Sequence, residues 1–121
     1  EIPTPGVVPT DVVVDRNGAV WFLEFRTDRI GRYAGGKFDA VAAPYPKAGL
    51  TGLAIAPDGS AWFGMLRKAS LGRLRDGRIV EFKLPRNNAR PFSLAIDRVG
   101  NVWYTDIGGF VGMLSAEQAS R

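Results

Sequence analysis

Trp21, Trp62 and Trp103 stand 41 residues apart, and that interval governs the whole 121-residue chain. Gly18, Gly59 and Gly100 keep it, as do Val14, Ile55 and Ile96, and Pro3, Pro44 and Pro85. Gly31, Gly72 and Gly112 follow at 41 and then 40. So many residue types in one phase mark a true internal repeat. Each unit is then one supersecondary element that cannot bury its core alone and must stack on neighbours.

Within a unit the pattern is that of short strands. The first is an apolar run, Val12–Val14, Leu53–Ile55 and Leu94–Ile96, as expected of strands buried on both faces. A turn follows at Asn17-Gly18 or Asp58-Gly59, with Val99-Gly100 as a weaker copy. The second strand carries an aromatic pair: Trp21-Phe22, Trp62-Phe63 or Trp103-Tyr104. The third spans Arg29–Tyr33, Ser70–Leu74 and Phe110–Leu114, with a central glycine that admits a close neighbour. A second turn, Gly35-Gly36 or Asp76-Gly77, opens a fourth strand over Lys37–Ala43 or Arg78–Leu84, which Pro44 or Pro85 ends. No segment shows sustained helical periodicity. A parallel β-helix needs a shorter coil, and a sandwich does not repeat so faithfully. Four antiparallel strands in about 40 residues is the blade of an all-β propeller.

The expected organisation is one partial propeller domain over residues 1–121. Its blade units run roughly 4–44, 45–85 and 86–121, the last lacking a clear outer strand because Ser115–Arg121 is polar. Propellers close with about 4 to 8 blades, so three leave two apolar flanks open, which soluble monomers avoid. Identical chains joining in a homodimer would complete a six-bladed ring. The stub Glu1-Ile2-Pro3 matches the end of a fourth strand and could fasten a neighbour's third blade.

Composition narrows the function classes. The chain is 45% hydrophobic and 23% charged, a globular balance, and no apolar run approaches the roughly 20 residues that span a bilayer. The net charge of +4 invites a nucleic-acid reading, but the arginines are scattered and no basic–aromatic motif gathers them. Neither nucleic acid nor membrane is an expected partner. Cysteine is absent, which removes disulfide and thiolate chemistry and leaves the compartment open: secreted, periplasmic and cytoplasmic placements all fit a soluble chain. The opening Glu1-Ile2-Pro3-Thr4-Pro5 lacks an initiator Met and a signal-like character, and reads as a processed or engineered terminus.

Two stretches carry a more specific likeness. They are Asp15-Arg16-Asn17-Gly18-Ala19-Val20-Trp21-Phe22-Leu23-Glu24 and Leu71-Gly72-Arg73-Leu74 followed by Gly77–Pro85. Together they resemble the blades of the virginiamycin B lyase (streptogramin lyase) family, over essentially the whole chain. The resemblance implies a propeller, and in that family a histidine base and an axial magnesium ion open a cyclic depsipeptide by elimination. This sequence has no histidine. Where such blades often carry Pro-His-Gly, it has Pro9-Thr10-Asp11, Leu50-Thr51-Gly52 and Pro91-Phe92-Ser93. No catalytic residue carries over, and a blade shared by enzymes and binders does not by itself assign chemistry.

The expected ligand site is the axial mouth, where first strands begin and inner hairpins turn. Its candidates are Thr10, Asp11, Thr51, Phe92 and Ser93 before the first strands, and Glu24, Met65 and Asp106 after the aromatic pairs. Glu24 and Asp106 share a register and are the only weak candidates for a hard cation, Mg²⁺ or Ca²⁺. The competing reading gives them loop amides or pairs with Arg26, Arg29 or Arg67, and Met65 in the matching slot of the second unit favours it. No cofactor is otherwise expected. The tryptophans are expected between blades, and Asp15, Asp58 and Asp97 at turns, held by backbone amides. The Gly108-Gly109 pair reads as a loop, not a phosphate cradle. Three functions follow, in order: a lyase-like scaffold binding a small molecule or peptide without catalysis alone; a self-assembling half-propeller; and part of a metal-dependent streptogramin B-type lyase active only with further blades.

Overall fold

The structure is a computed structural model and describes residues 1–4 and 7–121; Pro5 of the opening segment lies outside the described residues. Among the described residues eleven strands form three antiparallel sheets. Blade 1 is β1 (Pro9–Val14), β2 (Val20–Glu24), β3 (Arg29–Ala34) and β4 (Lys37–Ala42), hydrogen-bonded in that order. Blade 2 repeats it with β5 (Leu50–Ile55), β6 (Ala61–Met65), β7 (Ser70–Arg75) and β8 (Arg78–Lys83). Blade 3 has three strands, β9 (Pro91–Ile96), β10 (Val102–Asp106) and β11 (Phe110–Leu114). After β11 comes a one-turn helix, α1 (Ala116–Ala119), and no fourth strand follows among the described residues. The polar run Ser115–Gln118 explains it. Ser115 and Gln118 form a reciprocal capping box, and the Asn101 side chain takes the Ala116 amide.

The first strands β1, β5 and β9 lie side by side at the inner edge, with β5 between the other two. Two cores fill the gaps between blades. Leu23 and Ile30 of blade 1 meet Leu53, Ala61, Phe63 and Met65 of blade 2, with Trp21 packed against them. Trp62 and Leu71 of blade 2 meet Val102 of blade 3, with Leu94, Ile96 and Tyr104 alongside. Blades 1 and 2 thus turn their tryptophan toward the next blade, and blades 2 and 3 turn the following aromatic toward the previous one.

The third-strand glycine has a direct cause. Gly31, Gly72 and Gly112 sit opposite Phe22, Phe63 and Tyr104 across the sheet. A Cβ on Gly72 would lie 2.3 Å from the Phe63 ring, and one on Gly112 2.2 Å from the Tyr104 ring. The aromatic ring lies flat over the glycine, a close packing that any side chain there would block.

The expectation of inner strands buried on both faces holds for β5 but not for β1, which is mostly exposed, or for β9, half of whose residues are exposed. The reason is position. Blade 2 has a neighbour on both sides, whereas Val12 and Val14 on one flank and Trp103, Val111 and Met113 on the other face solvent.

Candidate functional site

The mouth is built by a bulge in every inner strand. Pairing runs Thr10 with Leu23 and then Val12 with Phe22, which leaves Asp11 over. It runs Thr51 with Gly64 and Leu53 with Phe63, leaving Gly52. In blade 3, Leu94 pairs with Tyr104 and Pro91 with Asp106, so Phe92 and Ser93 oppose Thr105 alone. Such bulges bend a strand and re-aim its side chains, and they recur beside functional sites. Here they coincide with the Thr-Asp, Thr-Gly and Phe-Ser pairs.

Backbone geometry at these points is unusual for cause. Asp11 adopts φ +49°, and its own Oδ1 accepts the Val12 amide at 3.0 Å, the local bond that lets aspartate tolerate the left-handed region. Gly52 adopts φ +56°, and a Cβ there would stand 2.9 Å from Leu94 N and Phe92 O. Inner strands β5 and β9 therefore touch backbone to backbone. Thr51 Oγ1 donates to Pro91 O at 2.7 Å and pins the contact.

The candidates divide by access. Thr10, Asp11, Phe92 and Ser93 are exposed at this end, and Thr51 is half-buried. Met65 is wholly inside the core between blades 1 and 2 and reaches no ligand. Glu24 and Asp106 are also buried, one on each outer blade. Glu24 accepts Arg29 Nε and Thr27 Oγ1, both at 2.7 Å. Asp106 accepts the Gly108 amide at 2.7 Å and the Arg90 amide at 3.2 Å, and pairs with Arg86. The Gly108 amide leads in holding its carboxyl below the usual range; burial opposes, and the Arg90 amide and Arg86 add to the lowering. The second carboxylate partner, Arg86, and its stacking 3.9 Å over the Phe110 ring were not foreseen from sequence.

These donors do not fit a hard cation. Each carboxylate is already engaged, they stand on separate blades, and among the described residues no group of three or more acidic side chains gathers. No chemical step is derived through a metal. What the mouth offers instead is apolar. Besides Phe92, the side chains of Phe25, Ile107 and Phe110 are exposed. Phe25 N–H bonds Val8 O and Ile107 N–H bonds Arg90 O, which ties both hairpins to the chain entering an inner strand. Sequence reading stopped at the residue before each: Phe25 and Ile107 directly follow Glu24 and Asp106.

Comparison with known proteins agrees with this fold. A catalytically inactive histidine-to-alanine variant of virginiamycin B lyase from Staphylococcus aureus, solved with quinupristin, matches with a TM-score of 0.80 at 26% identity, covering 97% of this chain and 44% of that one. A streptogramin B lyase structure matches at TM-score 0.80 and 25% identity, over 95% and 43%. A gluconolactonase from Xanthomonas campestris matches at TM-score 0.67 and 20% identity, over 91% and 44%, a likeness of fold alone. No curated protein matches. The chain thus spans less than half the length of the solved lyases it resembles. The pattern described as the virginiamycin B lyase family matches residues 1–120, and the chain belongs to that family.

Proposed function

We propose that this chain is a lyase-family propeller scaffold that binds a small-molecule or peptide ligand at the axial mouth and does not turn it over alone. The observation that carries this reading is the mouth itself. Three bulged inner strands present Thr10, Asp11, Phe92 and Ser93 beside exposed Phe25 and Ile107, with no free acid–base pair among them. The S. aureus lyase is catalytically inactive when a histidine is replaced, and this chain has no histidine. A cyclic depsipeptide of the quinupristin kind is the ligand class to try first, because a related propeller has been solved with it.

The same reading includes self-association. The Trp103 flank of blade 3 is the register equivalent of the Trp62 face that packs on blade 3. The Val12 and Val14 flank of blade 1 corresponds to the face blade 2 presents to blade 1. One chain therefore carries both halves of an interblade contact. Two copies can meet head to tail twice and close on a two-fold axis, and together they approach the length of one solved lyase. The alternative, part of a metal-dependent lyase needing further blades, draws on the family match and on that 43–44% coverage.

Calorimetry with quinupristin, run beside a ring-opening assay with and without Mg²⁺, tests both. Saturable binding that weakens in Phe92→Ala, with no ring opening, is the expected result. Turnover by this chain would overturn the non-catalytic reading, and absence of binding would remove the mouth as a site.

A further inference from the structure

The repeat serves as its own control on a feature far from the mouth. In blade 1, Arg32 on β3 stands directly across from Asp39 on β4, and Ala34 across from Lys37. In blade 2 the same positions pair Arg73 with Val80 and Arg75 with Arg78. The facing carboxylate is gone, and two like charges stand opposite each other, an arrangement that destabilises a sheet unless something answers it.

Arg73 makes the case specific. The residue is only 4% exposed, yet no carboxylate pairs with it. Its Nη1 donates to Ala119 O of α1 at 2.5 Å, and its Nε has no partner among the described residues. Its guanidinium lies 5.4 Å from the centre of the Phe82 ring and 6.0 Å from that of Trp62, contacts that offset part of its burial without supplying an anion. Burial first, and then the nearby Arg75, push its pKa below the usual arginine value. Arg73, Arg75, Asp76, Arg78 and Val80 line a cavity of about 460 Å³. Arg75 is shared with Asp58 at 3.1 Å, Asp76 is the only carboxylate on the wall, and Arg78 forms no ion pair among the described residues. The cavity lies on the face of β7 and β8 whose Leu71 and Phe82 pack toward Val102 of blade 3.

We infer that this arginine cavity of blade 2 is a binding site for an oxyanion, a phosphoryl or carboxylate group that supplies the negative charge absent at Val80, the register position Asp39 holds in blade 1. Guanidinium forks suit such groups because each can donate two parallel hydrogen bonds. The site is separate from the mouth and does not depend on the function proposed there.

The test is titration of the intact chain with inorganic phosphate and, separately, malonate, against chloride at matched ionic strength, followed by amide chemical shifts. Saturable shifts confined to β7, β8 and α1 are expected from at least one, and which one identifies the group. Val80→Asp, which installs the blade 1 carboxylate on a partly exposed position, should weaken binding by about tenfold or more. Arg78→Ala should weaken it as well while leaving the core untouched. Unchanged affinity in Val80→Asp, or no saturable response to either anion, would overturn the assignment.

Discussion

Blades 2 and 3 are built from one repeat, yet Trp62 is 1% exposed and Trp103 is 41% exposed. The two indoles hold the same register, follow the same turn and precede the same kind of aromatic. What differs is the neighbour. Trp62 packs on Val102 with Leu94 and Ile96 alongside, whereas no blade among the described residues covers Trp103. The repeat therefore specifies the blade, and the neighbour decides how much of its apolar surface leaves water. Stability in such arrays is a sum of unit terms and interface terms, and among the described residues blade 3 makes one interblade interface where blade 2 makes two.

The sharpest way to break that comparison is truncation of the two tryptophans. Trp62→Ala should cost on the order of 3 to 5 kcal/mol in chemical denaturation, the range of a large core truncation. Trp103→Ala should cost about 1 kcal/mol in dilute chain, because much of its surface already meets solvent. Equal costs would mean that Trp103 is covered in solution.

A smaller effect separates the two glycines. Gly72→Ala drives a Cβ into the Phe63 ring, which is fully buried and has nowhere to go, at roughly 1 to 3 kcal/mol. Gly112→Ala meets the Tyr104 ring just as closely, but that ring is half-buried and able to shift, so the loss should be less.

The smallest effect is acid titration. Asp97 accepts the Trp103 indole at 3.1 Å and amides of Val99 and Asn101, and its pKa falls to about 2, with the Trp103 bond the leading cause. A depressed native pKa means its contribution is complete above the ordinary value of 3.8 and disappears as pH falls toward about 2. Trp62 donates instead to Ser60 Oγ, which in turn donates to Asp58. Trp103 fluorescence should change over that interval, and Asp97→Asn should abolish the change. A transition of equal size at Trp62 would contradict the difference.

Much of this fold was legible because the repeat lies in residue types with single structural uses. Proline and glycine placed strands β3, β4, β7, β8 and β11 within a residue at each end, and the aromatic pairs fall inside β2, β6 and β10. The inner strands begin three residues earlier than their apolar runs, at Pro9, Leu50 and Pro91, because Thr10, Asp11, Phe92 and Ser93 carry no strand signal and pair around a bulge. The aspartates were placed at their turns, but not on the indoles, since a bond across six residues has no local signature. At the mouth, register alone aligned Glu24, Met65 and Asp106. It could not show that Met65 is core, or that Arg86, from a connector, would reach Asp106. Tertiary partners of this kind are set by packing, which a one-dimensional pattern does not carry.

The central claim is that the open faces of blades 1 and 3 are complementary copies of contacts already made inside the chain. Light scattering coupled to size exclusion, over a range of concentrations and repeated on Val111→Lys, tests it most directly. A mass of two chains that falls to one in Val111→Lys is the result the account predicts. A wild-type chain that stays folded and monomeric at every concentration would contradict it.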